Sequence, residues 1–99
     1  VDKVGRKWTF LTNHGHVFLA VDSRSDALMK DIAKAVGITE RATQMILADL
    51  VEDGYVEVTR VGRRNYYKVN ASMHFRHPNE ATKEVGALLD IFNEEMIES

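Results

Sequence analysis

Between Ala27 and Asp53 the apolar positions recur in two sets, Leu28, Met29, Ile32 and Val36, then Ala42, Thr43, Ile46, Leu47, Leu50 and Val51. An i, i+3, i+4, i+7 recurrence gives each segment one apolar face, so the spacing predicts two amphipathic helices. Between them, Gly37 supplies the positive φ that a helix C-cap needs, Ile38 folds back as the apolar residue after the cap, and Thr39 can accept a backbone N–H at the next helix start. Upstream, Thr12 or Asn13 can cap a supporting helix to about Val21, with Val17, Phe18 and Val21 as its packing face. The polar connector Asp22 to Asp26 follows, and Ser25 or Asp26 is the expected cap of the helix after it. Beyond Asp53-Gly54 the period changes to two. Val56 and Val58 alternate with Glu57 and Thr59, and Tyr67 and Val69 alternate with Tyr66 and Lys68, which predicts a β-hairpin turning at Gly62. Ala71 to Pro78 reads as irregular, with Met73 and Phe75 tucked against the core. Pro78 or Asn79 then opens a last helix to about Ile97, its stripe running through Ala81, Val85, Leu88, Leu89, Phe92 and Met96.

A hairpin directly after two helices joined by a tight turn is the winged arrangement. The expected fold is therefore α+β, mainly α: a winged helix-turn-helix with a three-helix core, a β-hairpin wing and an added C-terminal helix. Residues 1–78 are expected to form the winged domain and residues 79–99 the C-terminal helix. Leu28, Ile32, Ile46, Leu50, Val58 and Val69 already supply a core for the winged part. A symmetric partner chain is thus the expected cover for Val85, Leu88, Leu89, Phe92 and Met96, with docking on the first helix and Trp8 of the same chain as the alternative.

Composition narrows the class. At 99 residues one core is expected, and the absence of cysteine removes disulfide scaffolds and Cys-based zinc sites. No stretch approaches the length of a membrane span and no apolar signal region opens the chain, so a cytoplasmic protein is expected. The net charge of −2 conceals an asymmetry: residues 1–78 hold 12 Lys+Arg against 9 Asp+Glu, whereas residues 79–99 hold one Lys against six acids. A polyanion is drawn to the first part and repelled by the second.

The run from Leu11 to Asn70 resembles prokaryotic winged helix-turn-helix transcription regulators of the MarR-like and ArsR-like kind. Its most specific pieces are DIAKAVGITERATQ, with its turn glycine, and DGYVEVTRVGRRNYYKV. The resemblance implies a dimer whose second motif helix enters the major groove of double-stranded DNA while the wing rides the backbone or the minor groove. Two features depart from the family pattern. Met45 stands where many members carry a basic or polar residue, and Thr39 to Asp53 is net negative.

With Thr43, Ile46, Leu47 and Leu50 turned inward, the helical wheel points Arg41, Met45 and Ala48 the other way, flanked by Gln44, with Thr39 and Glu40 at the leading end. Arg41 can fork onto guanine, Gln44 can pair with adenine, and Met45 can meet a thymine methyl. Glu40 suits the positive end of the helix dipole or can accept from cytosine. The wing carries Arg60, Arg63, Arg64 and Lys68 with no acid from Arg60 to Lys68; Arg60, Arg63, Arg64 and Asn65 are candidate backbone or minor-groove contacts, and Lys30 is a phosphate candidate.

No metal or other cofactor is expected. His14 and His16 point about 200° apart on a helix, and His74-x-x-His77 is more simply read as solvated or core-satisfied than as a chelate. There is no Cys nucleophile, G-x-S-x-G, P-loop or Gly-rich dinucleotide turn, so no enzyme is expected. The expected function is a homodimeric, sequence-specific DNA-binding transcription regulator. A winged-helix docking module without DNA binding is the alternative, and an RNA-binding adaptor stands third. A small-molecule effector has room in an apolar cleft between the outer helices, although no polar constellation announces one.

Overall fold

The computed structural model describes residues 8–24 and 26–98, with side chains as far as Asn93. The elements run α1 (Asn13–Ser23), α2 (Met29–Val36), α3 (Glu40–Glu52), β1 (Val56–Val61), β2 (Arg64–Val69) and α4 (Gly86–Glu98). Thr12 caps α1 by accepting from the Gly15 N–H at 3.3 Å, and Thr39 caps α3 by accepting from the Ala42 N–H at 3.0 Å. Gly37 ends α2 at φ 89°, and the N–H groups of Gly37 and Ile38 both close on the Ala33 carbonyl, at 2.8 and 3.0 Å. Those bonds let α3 leave in a new direction without stranding the last carbonyls of α2.

The start of α2 differs from expectation. Leu28, not Asp26, occupies the cap position, and no side chain bonds there; Ser25 lies outside the described residues. The first turn closes instead on the Leu28 carbonyl, which accepts from Asp31 and Ile32 at 2.9 and 3.1 Å, and Asp31 places a negative charge at the positive helix end. Buried Ala27 and then Leu28 stand between Asp26 and the first helical residue, Met29, so Asp26 lies two residues before the cap position.

The core joins Val17, Phe18 and Val21 of α1 to Ile32 of α2, Ile46 and Leu47 of α3, and Tyr55, Val56 and Tyr67 of the hairpin region. Thr43 is fully buried, and its hydroxyl donates to the Thr39 carbonyl at 2.9 Å, which removes the cost of an unpaired polar group. Two expected core residues, Leu28 and Val58, are exposed, whereas Leu50 and Val69 are half-buried. Leu28 precedes the buried face of α2. Val58 stands directly across from Tyr67, whose larger ring is the member of the pair that the core covers.

β1 and β2 pair antiparallel from Val56↔Val69 to Val61↔Arg64, leaving Gly62-Arg63 as a two-residue loop with Gly62 at φ 64°. A glycine at positive φ in the first loop position is the turn chemistry that a tight hairpin selects. Glu57 faces Lys68 across the strands, one opposite-charge pair that offsets the basicity of the wing's base.

The last helix begins at Gly86 rather than at Pro78 or Asn79. Residues 71–85 form a folded-back loop instead, because their backbone is committed elsewhere: Phe75 N–H bonds Lys83 O at 3.1 Å, Val85 N–H bonds Met73 O at 2.7 Å, and Gly86 N–H bonds Ala71 O at 2.9 Å. Met73 and Phe75 are half-buried against the core as expected. The apolar stripe is divided. Val85 and Leu89 are each 5% exposed within the core of this chain, so they are not free for a partner; Leu88 is half-buried, and Phe92 is 46% exposed. The Met96 side chain lies outside the described residues. Among the described residues no helix is long and apolar enough to cross a membrane.

Candidate nucleic-acid interface

Packing of α3 through Thr43, Ile46 and Leu47 turns the opposite face outward. Thr39, Glu40, Arg41, Gln44 and Ala48 are exposed there, and Met45 is 63% exposed. A thioether left this far in water is a ready apolar contact beside two groups that can each make paired hydrogen bonds, the Arg41 guanidinium and the Gln44 amide. Thr39 is also a structural residue, since its side-chain oxygen already serves as the helix cap. Lys30, on α2, is exposed.

The acidity of α3 is segregated along its length. Asp49, Glu52 and Asp53 fall on its last turn and cap, roughly 12 Å or more from Arg41 at 1.5 Å per residue. Carboxylates at a helix C-terminus oppose the dipole, and two of these three meet side chains from elsewhere in the chain. His14 Nε2 lies 2.9 Å from Asp49 Oδ2, and Arg76 Nη1 donates to Asp53 Oδ2 at 2.7 Å. Both pairs are exposed to water and therefore stabilise little.

On the wing, Arg60, Arg63, Arg64 and Asn65 are all exposed, yet they are not equivalent. Arg60 Nε donates to the Gly62 carbonyl at 3.2 Å, inside the tip. Arg64 donates from Nη2 to the Asp26 carbonyl in the connector before α2, and its guanidinium lies 5.8 Å from the centre of the Tyr66 ring. Arg63, in the turn, has no polar partner among the described residues. Sequence reasoning missed Asp26 and Tyr66 as partners of a wing arginine. The alternation of β2 places Arg64 and Tyr66 on one side and so carried half of that signal; a backbone carbonyl acceptor leaves none.

Three of the four histidines are engaged individually. His14 pairs with Asp49, His74 Nδ1 lies 2.7 Å from the Ala81 carbonyl oxygen, and His77 Nδ1 accepts from the Asn79 N–H at 3.0 Å. A cleft of about 570 Å³ opens between the start of α1, the end of α3 and the 75–80 loop, with Phe18, Leu50, Tyr55 and Phe75 among its apolar walls and His14, Asp49, Asp53 and Arg76 around it. That volume suits a small ligand.

No protein-family model matches the chain, and no curated protein sequence does. Among solved structures, FabT of Streptococcus pneumoniae in complex with DNA is similar to it with a TM-score of 0.59 at 16% identity, over 95% of this chain and 62% of that one. The zinc-dependent MarR-family transcriptional regulator AdcR in its Zn(II)-bound state gives a TM-score of 0.47 at 18% identity, over 68% of this chain and 49% of that one. The chain thus spans 62% of the length of the FabT chain that it matches. Among the described residues, four helices and a two-stranded antiparallel hairpin give the chain a winged helix-turn-helix fold, similar to that of the FabT chain.

Proposed function

We propose that this chain is a non-catalytic, sequence-specific DNA-binding transcription regulator that acts as a homodimer. In this reading α3 enters the major groove with Arg41, Gln44 and Met45 toward base edges, and Arg63 meets the phosphate backbone or the narrow minor groove. The observation that carries it is the outer face of α3, polar, fork-bearing and unpacked, on a fold shared with a protein solved in complex with DNA. Two such helices related by a two-fold axis would meet half-sites about 34 Å apart on one face of the duplex. The dimer contact is assigned to the exposed remainder of α4, Ile91 at 60% and Phe92 at 46% exposure, with Leu88 beside them. Met96, four residues beyond Phe92, continues that stripe in the sequence.

The test is selection of bound fragments from random duplex DNA, followed by titration of the selected site across salt. Affinity falling linearly in log–log form with salt supports phosphate contact, with a slope of about −0.9 per phosphate neutralised. A flat salt response with no enriched sequence rejects the reading. The docking-module alternative draws on the same exposed Ile91 and Phe92, and salt-insensitive capture of a protein partner would favour it.

A further inference from the structure

Of the three wing arginines, Arg60 bonds inside the tip, Arg64 bonds outside the hairpin, and Arg63 has no polar partner among the described residues. We propose that Arg64 is a positioning residue: it fastens the hairpin to the α1–α2 connector and so sets where Arg63 points. The inference rests on the DNA-binding reading for its consequence, but not for its geometry.

The acceptor is a fixed one. The carbonyl of Asp26 and the N–H of Ala27 belong to one planar trans peptide unit, so they point in opposite directions. The Ala27 N–H is bonded to the Arg24 carbonyl at 3.1 Å and the Ala27 side chain is buried, which orients the Asp26 carbonyl outward. Arg64 Nη2 donates to that oxygen. The donor is held as well: Tyr66, two residues on along β2 and therefore on the same side of the hairpin, offers its ring face 5.8 Å from the guanidinium carbon. A planar guanidinium can stack on a ring and donate in its own plane at once, which a tetrahedral ammonium cannot. The arginine thereby joins the wing, at the residue directly after its loop, to a connector anchored in the core. Arg63, one residue earlier and in the turn itself, has no polar partner among the described residues.

The test compares Arg64→Lys, Arg64→Gln and Arg63→Gln with the parent chain. In free protein, the heteronuclear ¹H–¹⁵N NOE of the Gly62 and Arg63 amides should fall in both Arg64 variants and hold in Arg63→Gln. Parent values in both Arg64 variants overturn the proposal. With a selected duplex, both Arg64 variants should bind about five- to tenfold more weakly at every salt concentration, the scale set by ordering a few loop residues on binding. Their salt slope should be unchanged, whereas Arg63→Gln should lower it by about 0.9. Arg64→Lys binding like the parent, together with a drop of about 0.9 in the slope of Arg64→Gln, would make Arg64 a phosphate ligand and overturn the proposal. If the parent chain binds no duplex, the DNA-binding reading fails by itself, and the amide NOE still decides whether Arg64 holds the wing.

Discussion

Arg41 and Gln44 sit one turn apart on α3 with their polar ends in water, and neither has a polar partner among the described residues. Removing either head group therefore leaves nothing unsatisfied in the free protein, and the cost of the change should fall on the ligand alone. Arg41→Ala and Gln44→Ala are each expected to relax base preference at one or two positions of the selected site, losing about 1–3 kcal/mol of discrimination there, with melting temperature unchanged. Repeating the duplex selection with each variant is the check, and an unaltered motif would remove that residue from the base-reading set. Gly37 is the opposite case. At φ 89° with nothing within 4 Å of an added Cβ, it has room for a side chain but not the backbone freedom, so Gly37→Ala should destabilise by about 1–2 kcal/mol. For a domain of this size that corresponds to a melting-point drop of about 4–8 °C per kcal/mol, read by thermal denaturation. These residues were legible in the sequence because their signals are local: a cap, a turn glycine, a helical period. Asp26 was misread for the same reason. A short acid before a helix is a plausible cap by spacing, but α2 starts at Met29, which leaves Asp26 two residues before the cap position.

At the scale of elements, periodicity recovered α1, α2, α3 and both strands; each of these helices buries one face and repeats it in its spacing, whereas burial in the strands is confined to Val56, Tyr67 and the half-buried Val69. It failed at α4. The residues from 79 to 85 have helix-compatible spacing at Ala81 and Val85, but their conformation is decided by partners in residues 71–75, a pairing between chain segments that no local period reports. Where that loop ends, the backbones nearly touch: a Cβ on Gly86 would sit 3.0 Å from the Ala71 carbonyl oxygen and 3.1 Å from its Cβ. Alanine at a helix position ordinarily gains about 1 kcal/mol over glycine. Forcing apart a close contact costs about 1–3 kcal/mol, and here one of the atoms that must move is backbone. Gly86→Ala is therefore expected to destabilise by about 1 kcal/mol net, and a melting temperature at or above that of the parent would show that the loop yields more easily than this packing implies.

At the scale of the whole molecule, the same stripe on α4 is asked to serve two surfaces, and the structure separates them by residue. Val85 and Leu89 belong to the core of the chain, so Leu89→Ala should cost about 2–5 kcal/mol of stability whether or not a partner is present. Ile91 and Phe92 stand in water, and near the other end of the described chain Trp8 and Phe10, 74% and 91% exposed, stack edge to face with ring centres 4.9 Å apart. Placing a carboxylate at Ile91 or Phe92 removes little that the monomer uses but puts an uncompensated charge into any apolar contact. The double variant Ile91→Asp, Phe92→Asp is therefore expected to melt within a few degrees of the parent while sedimenting at the 11.2 kDa of one chain, against twice that mass for the parent at tens of micromolar. Breaking the dimer also changes how DNA is held. A single chain can neutralise only the phosphates of one half-site, so the salt slope of binding should fall by about half, and the preference for paired half-sites should disappear. Sedimentation and titration on one preparation separate the two parts of the claim. A parent that sediments as one chain yet keeps a steep salt slope would end the homodimer and leave the DNA contact standing, whereas a stable dimer with a flat slope would leave α4 as the interface and end the regulator.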